Sequence, residues 1–355
     1  MKSILGKYGT IHFGDHAYVQ LNNHIEASSY SLIFVLVDSN THTHCLPHFL
    51  SHLETDQTIE IIEIEPGEDH KTIETCLGVW HAMSELGGDR RSLMINLGGG
   101  VVTDLGGFVA SAFKRGIDFI NVPTSLLAMV DASIGGKTGV DLGVLKNQIG
   151  VINMGDMVLI DSRYLTTLPE RQMRSGMAEM FKHGLIASRE YWNRMADFKG
   201  GIDEELDTLI YDSICIKYDI VKQDPTEKSI RKALNFGHTI GHAIESYFLE
   251  HSEKDSLLHG EAIAIGMIME GFLSKAVCNF GSEDLDHIKM ILLKNFDRVQ
   301  IDQADESPII ELLKHDKKNT YGRVNFVLLN EIGSFKLDCQ ADESLISQAF
   351  DYYRS

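Results

Sequence analysis

Short apolar runs alternate with amphipathic stretches through roughly the first 165 residues of the chain. The first run is nearly continuous, which is typical of a strand buried on both faces of a parallel sheet. The runs cover residues 31–37, 59–64, 92–96, 117–122 and 157–160. Between them, the spacing of apolar residues predicts helices over 70–86 and 102–113. Strands that alternate with helices in this way predict a doubly wound α/β domain.

Helical spacing replaces this alternation after Pro169. Apolar residues then recur as on one face of a helix over residues 171–187, 204–221, 233–248, 260–279 and 283–293. Strand patterns are nearly absent until residues 323–329. Because 355 residues are enough for two cores, we predict two domains. The first is an α/β, doubly wound nucleotide-binding domain over 1–168, and the second is an all-α, mainly helical domain over 169–355.

Composition and charge narrow the class of protein. The chain is 43% hydrophobic and 23% charged, which is ordinary for a globular protein. A formal net charge of −19 argues against nucleic acid or an anionic membrane as partner, since both reward basic surfaces. The chain has no apolar run of membrane-spanning length and no signal-peptide pattern. Its scattered cysteines form no CxxC pair, so we expect reduced thiols and a cytoplasmic protein.

A glycine triplet follows the third of these apolar runs. Gly98, Gly99 and Gly100 separate this predicted strand from the helix over 102–113. Glycine lets the backbone approach an oxyanion, and the N–H groups at a helix start point towards it. The pattern therefore indicates a phosphate or pyrophosphate site. Thr103 replaces the third glycine of a strict GxGxxG, so a plain tight turn remains the alternative.

Isolated charges follow the triplet, set among apolar residues and glycines. They are Lys114, Arg115, Asp131, Lys137 and Lys146. A solvated surface would show a continuous polar run instead. This pattern favours a ligand site that takes an anion.

A second set of residues suits a metal ion. His238 and His242 are four residues apart, so they share one face of a helix. Glu179 and His259 could complete a set of three protein ligands with open positions, as in catalytic zinc sites. The spacing leaves open whether His242 is also a ligand. Single histidines elsewhere are more often surface or core residues, and this applies to His42, His44, His48 and His52.

Several motifs together resemble the 3-dehydroquinate synthase family of sugar-phosphate cyclases. They are the glycine triplet with the charges after it, GMAEMFKHG (176–184), NFGHTIGHAIE (235–245) and HGEAIAIG (259–266). The resemblance extends from Asp38 to the DKKN of residues 316–319. It implies a lyase of the shikimate pathway, which leads to chorismate and the aromatic amino acids. The implied reaction converts 3-deoxy-D-arabino-heptulosonate 7-phosphate to 3-dehydroquinate and phosphate by transient NAD+ oxidation, phosphate elimination, re-reduction and intramolecular aldol closure.

The resemblance also assigns the metal ligands. It implies that Glu179, His238 and His259 hold Zn²⁺, with Co²⁺ as an alternative, while His242 faces the substrate. The loop before His259 is longer than usual in the family and contains His251. His259 is preferred as the third ligand because the HGE tripeptide and the helix after it match the family.

The remaining roles are likewise implied by the resemblance. Ser125 stands where the family more often has threonine. NAD+ would bind at Asp38, Asn40, Glu68, Lys71, Gly98, Gly99, Gly100, Asp104, Thr124, Ser125, Lys146 and Thr167. The phosphorylated sugar acid would bind at Arg115, Asp131, Lys137, Asn147, Lys182, Lys217, Arg231, Asn235, His242 and Lys317. The implied catalytic residues are Lys137, Asn147, Lys182 and His242. The active form would be a homodimer in which Arg115 reaches the neighbouring subunit's substrate.

Three other functions compete with this one. A zinc- or iron-dependent polyol dehydrogenase of the glycerol dehydrogenase type would share the two-domain plan but would not need the extra cations. Another sugar-phosphate cyclase would change residues that contact the substrate carboxylate. A non-catalytic nucleotide-binding protein would have lost part of the metal set or of the cation set, and this chain retains both.

Overall fold

The computed structural model describes residues 1–7, 9–143, 145–251, 253–314 and 324–355. The chain forms two compact units. The first consists of Met1–Pro169 and Gly201–Pro225, and the second of Glu170–Gly200 and Thr226–Ser355.

The regular elements are numbered in chain order. The strands are β1 (Ile11–Phe13), β2 (Ile33–Asp38), β3 (Ile59–Ile64), β4 (Leu93–Gly98), β5 (Asp118–Pro123), β6 (Lys137–Leu142), β7 (Leu145–Ile152), β8 (Met157–Ile160), β9 (Phe326–Glu331) and β10 (Ser334–Cys339). The α-helices are α1 (Gly14–Ser28), α2 (Ser39–His44), α3 (Leu46–His52), α4 (Ile73–Glu85), α5 (Gly100–Ala112), α6 (Glu170–Ala187), α7 (Arg189–Asp197), α8 (Glu204–Gln223), α9 (His238–Glu250), α10 (His259–Cys278), α11 (Ser282–Asn295), α12 (Gln303–Lys314) and α13 (Glu343–Arg354). Within the described residues, no helix is both long and apolar enough to cross a membrane.

A parallel sheet with strand order β1-β8-β5-β4-β2-β3 organises the first unit. Its central strands are buried on both faces, which explains the continuous apolar runs in the sequence. The chain passes from β2 to β3 on one side and then to β4 on the other. The carboxyl ends of β2 and β4, at Asp38 and Gly98, therefore lie side by side at a topological switch point, where open α/β sheets bind ligands.

The first unit departs from the predicted layout in two places. Residues 137–152 form an antiparallel β6–β7 hairpin outside the main sheet, whereas the sequence indicated only a stretch of isolated charges. Helix α8, which the predicted boundary at 168/169 places in the second domain, belongs to the first unit. It is held there by Tyr211 against Phe13 and by Lys217, whose Nζ donates to Asp131.

The second unit is helical, as predicted, with one addition. Helices α9 and α6 pack against α10, which is buried along most of its length. The hairpin β9–β10 packs against the same helix, so the unit is not strictly all-α. Leu329 N donates to Ser274 Oγ at 2.8 Å, which ties the hairpin to α10. The predicted strand over 323–329 corresponds to the first part of β9.

Two helical glycines of the first unit give a matched stability test. A Cβ at Gly106 of α5 would overlap the Asn96 side chain and lie 2.9 Å from Leu36 Cδ2, whereas a Cβ at Gly78 of α4 would meet no atom within 4 Å. We expect Gly106→Ala to destabilise the protein by about 1–3 kcal/mol through overpacking. Gly78→Ala should stabilise it by about 0.5–1 kcal/mol, because alanine loses less backbone entropy. Urea denaturation of both variants measures the difference, and equal effects would contradict the close packing of α5 on the sheet.

Candidate functional site

The glycine triplet lies where β4 passes into α5. A Cβ at Gly98 would be 2.5 Å from Val102 Cβ, so this turn accepts only glycine. Thr124 N donates to Gly98 O at 3.0 Å, which brings the end of β5 against the turn. Gly99 lies next to Ser125, whose Oγ would be 3.4 Å from an added Cβ. The turn therefore presents the first N–H groups of α5 at the switch point, a suitable place for an anionic ligand.

Lys71 is the centre of a charged cluster beside this turn. Its amine is buried and donates to Asp104 Oδ2 at 2.6 Å and to Asn147 Oδ1 at 2.8 Å. Glu68 Oε1 lies 4.0 Å from Lys71 Nζ and 3.9 Å from Lys146 Nζ. Burial alone would lower the pKa of Lys71, but Asp104 and Glu68 outweigh it and raise the pKa. The structure thus brings Asp104 and Asn147, which are far from Lys71 in sequence, to its amine. Lys71 stays charged.

Sequence reasoning missed Asp141 in this cluster. Asn147 has a left-handed backbone, with φ of 52°, and its N–H donates to Asp141 Oδ1 at 2.5 Å. Asp141 N in turn donates to Lys71 O at 2.9 Å. Asp141 therefore positions both Asn147 and Lys71. Its only sequence signal is its place between the predicted residues Lys137 and Lys146.

The other predicted cofactor residues are more dispersed. Asp38 caps α2, because its carboxylate accepts the Thr41 N–H at 2.8 Å. Asn40 and Thr167 are exposed, while Thr124 is buried next to the glycine turn. Asp38 and Thr124 therefore lie at the carboxyl edge of the sheet, where the turn also lies.

Predicted substrate residues of the first unit fall into two groups. Lys217 is buried, and its Nζ donates to Asp131 Oδ1 at 2.5 Å and to Asp131 O at 2.6 Å. Lys137, at the start of β6, and Arg115 are exposed. Arg115 has φ of 74° in a left-handed turn after α5, a strained conformation for a residue with a Cβ. The buried Lys217 and the half-buried Asp131 thus form an ion pair, whereas Lys137 and Arg115 are cations of the protein surface.

The three predicted metal ligands meet in the second unit. Glu179, on α6, is fully buried. Its Oε1 lies 3.4 Å from His238 Nε2 and 3.4 Å from His259 Nε2. Atoms that lie about 2.0–2.2 Å from a tetrahedral zinc ion are separated from one another by about 3.3–3.6 Å. Ring nitrogens of His238, His242 and His259 lie within 4.8 Å of one another, so His242 belongs to the same cluster.

Neighbouring groups orient the two rings that face Glu179. His238 Nδ1 lies 3.2 Å from Phe236 O, so its Nδ1–H can donate to that carbonyl and leave Nε2 as the acceptor. His259 Nδ1 lies 3.4 Å from Glu245 Oε2. Such partners on the second ring nitrogen are typical of metal-bound histidines. Glu245 stands inside the quoted 235–245 motif, but sequence reasoning gave it no role.

The electrostatics also suit a metal ion. Lys182 forms an ion pair with Glu179 Oε2, while Glu179 Oε1 faces the Nε2 atoms of His238 and His259. Burial opposes the charge on Glu179, but Lys182 and His238 hold its pKa well below 4.5. Burial and the nearby Lys182 lower the pKa of His238 to about 4. An ionised carboxylate and a neutral imidazole are the forms that bind a metal.

His259 differs from His238. Burial again opposes its charge, but hydrogen bonds to Glu179 and Glu245 raise the pKa of His259 to about 10. A metal ion that binds at neutral pH would therefore displace a proton from this ring.

Glycines bring the helices of this centre close together. A Cβ at Gly237 would lie 2.5 Å from Met267 Cγ, and one at Gly241 would lie 3.0 Å from Ala262 O. Gly260 N donates to Ser175 Oγ at 2.9 Å, and a Cβ at Gly260 would overlap the Ser175 backbone. The glycines next to the histidines thus allow the backbones of neighbouring helices to approach closely.

The remaining predicted residues of the second unit lie near the start of α9 or outside the described residues. Arg231, which is buried, and Asn235 are on a short 3₁₀ turn, Ile230–Asn235. Asn235 Nδ2 donates to Glu227 Oε1 at 2.8 Å. Lys317 lies outside the described residues.

Histidines that the sequence interpretation set aside have other partners. His251 Nδ1 lies 2.7 Å from Tyr247 O, and its ring packs on the same tyrosine with the centroids 4.1 Å apart. His42 pairs with Glu63, and His48 Nε2 lies 3.0 Å from Asp161 Oδ2. His251 is therefore not part of the metal-ligand cluster that the structure describes.

Known proteins resemble this chain in sequence and in fold. The chain is 39% identical over 339 residues to the 3-dehydroquinate synthase of Parabacteroides distasonis, an alignment that covers 94% of this chain and 95% of the relative. A solved 2-deoxy-scyllo-inosose synthase complexed with carbaglucose-6-phosphate, NAD+ and Co²⁺ superposes with a TM-score of 0.84 at 26% identity, covering 98% of each chain.

A solved structure of much lower sequence identity shares only the fold. An iron-containing alcohol dehydrogenase superposes with a TM-score of 0.66 at 13% identity over 99% of each chain, which shows the fold alone. Residues 61–175 match the family model 3-dehydroquinate synthase N-terminal, and residues 176–319 match 3-dehydroquinate synthase C-terminal. On these matches, the chain belongs to the 3-dehydroquinate synthase family.

Proposed function

We propose that the chain converts 3-deoxy-D-arabino-heptulosonate 7-phosphate to 3-dehydroquinate and phosphate. The observation that carries this proposal is Glu179 Oε1 facing two histidine Nε2 atoms at 3.4 Å, with the buried cation Lys182 on the other oxygen. A metal centre with a buried cation beside it suits an anionic substrate better than a neutral polyol. The 39% identity to a 3-dehydroquinate synthase supports the same reaction.

The first unit is proposed to bind NAD+. The tight turn at Gly98 and the start of α5 suit the pyrophosphate, and the Lys71 cluster with Glu68, Asp104 and Lys146 lies beside it. Asp38, at the end of the neighbouring strand, suits a ribose hydroxyl. The solved relative with NAD+ supports this role for the unit.

The second unit is proposed to bind the metal. Glu179, His238 and His259 would hold Zn²⁺ or Co²⁺, and His242 would face the substrate from the same cluster. When bound, the metal would acidify a substrate hydroxyl, and NAD+ would accept and later return a hydride, so that the carbon next to the transient ketone could lose a proton and then phosphate. The role of this chain's residues is to fix Nε2 of both rings and to keep Glu179 ionised.

The substrate's two anionic groups are proposed to bind cations. Two of the assigned cations already pair with a carboxylate, Lys182 with Glu179 and Lys217 with Asp131, so their assignment rests on the resemblance and not on an unpaired charge. Lys182, Lys217 and Arg231 are buried at 1%, 5% and 2% exposure. We assign these three residues to the carboxylate and phosphate, together with the exposed Lys137. Lys317, which lies outside the described residues, is assigned to the substrate by the resemblance alone.

We also propose that the enzyme is a cytoplasmic homodimer. All five cysteines are free thiols, as expected in a reducing compartment. The β6–β7 hairpin exposes apolar side chains, including Leu142 at 54% and Ile152 at 50%. A second copy of the chain would cover these exposed apolar side chains in the proposed homodimer. The exposed Arg115 would then reach the partner's substrate phosphate.

The reaction type has a direct test. With the heptulosonate phosphate, NAD+ and zinc, we expect one phosphate released per substrate consumed and no accumulation of NADH, because the hydride returns to the product. Phosphate and nicotinamide absorbance are followed on one sample. One NADH per substrate consumed would instead favour a polyol dehydrogenase.

The metal ligands are tested by substitution. We expect His238→Ala and His259→Ala to lose bound zinc, because three protein ligands leave little redundancy. His251→Ala is the matched control and should retain zinc, since this ring packs on Tyr247. Metal content of the purified variants is the measurement. Zinc loss from the His251 variant would show that the ligand assignment is wrong.

Arg115 is tested by mixing subunits. Arg115→Ala and His238→Ala chains should each be inactive alone, and a mixture should recover part of the activity. One site in each heterodimer would combine an intact metal centre with the partner's Arg115. Mass spectrometry confirms subunit exchange. Absence of recovery after exchange would place Arg115 in its own chain's site.

A further inference from the structure

A buried carboxylate from another helix binds the N-terminus of α9. Glu270, on α10, has 0% exposure. Its Oε2 accepts the Gly237 N–H at 2.7 Å, and its Oε1 accepts the Ile240 N–H at 3.1 Å. Each carboxylate oxygen of Glu270 accepts one backbone N–H. A glutamine side chain has only one acceptor oxygen and could not accept both. Glu270 thus satisfies backbone N–H groups that the start of a helix otherwise leaves without partners.

Local sequence cannot supply this cap. A helix usually caps itself with serine, threonine, aspartate or asparagine at the preceding position. Here that position is Gly237, with φ of 79°, and a Cβ there would lie 2.5 Å from Met267 Cγ. Close packing of α9 on α10 therefore excludes the usual capping side chains, and the acceptor has to come from α10.

The capped turn is the one that carries a metal ligand. His238 immediately follows Gly237 and is the first residue of α9. Its Nδ1 lies 3.2 Å from Phe236 O, and its Nε2 lies 3.4 Å from Glu179 Oε1. Glu270 fixes the amides of Gly237 and Ile240, on either side of His238. The backbone position of this ligand therefore depends on Glu270.

Charge adds to the geometric effect. The N-terminus of a helix carries partial positive charge, which disfavours a nearby cation. Because His238 is the first residue of α9, a metal ion on its ring would lie close to that end, and Lys182 already contributes a positive charge next to Glu179. A carboxylate on the first N–H groups of α9 offsets this field.

We propose that Glu270 is a positioning residue that sets His238 for the metal ion and raises metal affinity without contacting the ion. This inference rests on the proposed metal centre of Glu179, His238 and His259. It concerns a residue outside that centre, and Glu270 would act through the backbone of α9.

The test uses Glu270→Gln, Glu270→Asp and, as control, Ser274→Ala in the full chain. Glu270→Gln replaces one carboxylate oxygen by an NH2 group of similar size. Either Gly237 N–H or Ile240 N–H then loses its acceptor. Glu270→Asp keeps the charge but shortens its reach. Ser274 is fully buried one turn further along α10, where its hydroxyl accepts the Leu329 N–H and donates to Glu270 O at 2.7 Å. Ser274→Ala therefore removes a hairpin contact and a backbone contact of Glu270, but it leaves both hydrogen bonds from α9 to the Glu270 carboxylate in place.

Zinc affinity is measured by competition with a chromophoric chelator, and the Co²⁺-substituted proteins are compared by their visible spectra. We expect Glu270→Gln to weaken zinc binding by about 10- to 100-fold and to alter the Co²⁺ spectrum. Glu270→Asp should show a smaller loss. Ser274→Ala should lower the melting temperature and leave zinc affinity and the Co²⁺ spectrum unchanged.

Three results would overturn the proposal. They are wild-type zinc affinity in Glu270→Gln, an equal loss of affinity in Ser274→Ala, and, if Glu270→Gln does not fold, wild-type zinc affinity in Glu270→Asp. Failure of the metal centre itself is distinguishable, because the unsubstituted protein would then bind neither zinc nor Co²⁺.

Discussion

The candidate metal centre depends on how closely α9 and α6 approach α10. Glycine at positions 237, 241 and 260 removes the Cβ atoms that would separate these backbones. Close approach brings Glu179 of α6 to the histidines of α9 and α10, although these residues are far apart in sequence. The same contact removes the side chain that would cap α9, so the buried Glu270 has to replace it. One packing constraint therefore decides both which side chains meet at the candidate metal centre and how the start of α9 is capped.

Each unit also buries a lysine between acceptors. In the second unit Lys182 pairs with Glu179, and in the first Lys71 donates to Asp104 and Asn147. Buried ion pairs contribute little net stability, because desolvation offsets most of the attraction. Here the two buried lysines position neighbouring groups and set the local charge. Lys182 leaves one oxygen of Glu179 for a metal ion, and Lys71 draws α5 and the β6–β7 hairpin together beside the glycine turn.

Prediction from sequence succeeded where local pattern and tertiary environment agree. The predicted strand over 31–37 matches β2, because a strand buried on both faces must be apolar throughout. The predicted strand over 59–64 matches β3, an edge strand whose isoleucines are half-buried or buried. Prediction from sequence missed β1, which has only three residues, and β7, most of whose side chains are exposed. Helix α8 packs in the first unit rather than the second, because its amphipathic pattern shows that one face is buried but not which partner covers that face.

The sequence by itself determined the fold class, the family and the residue types available for chemistry, since these depend on periodicity and on motifs that are continuous in the chain. Only the tertiary structure decided which groups meet. His259 rather than His251 faces Glu179, Glu245 lies against His259, and Asp141 positions Asn147. The physical reason is that such contacts depend on helix packing and hairpin register, whereas the sequence specifies only the surfaces that pack.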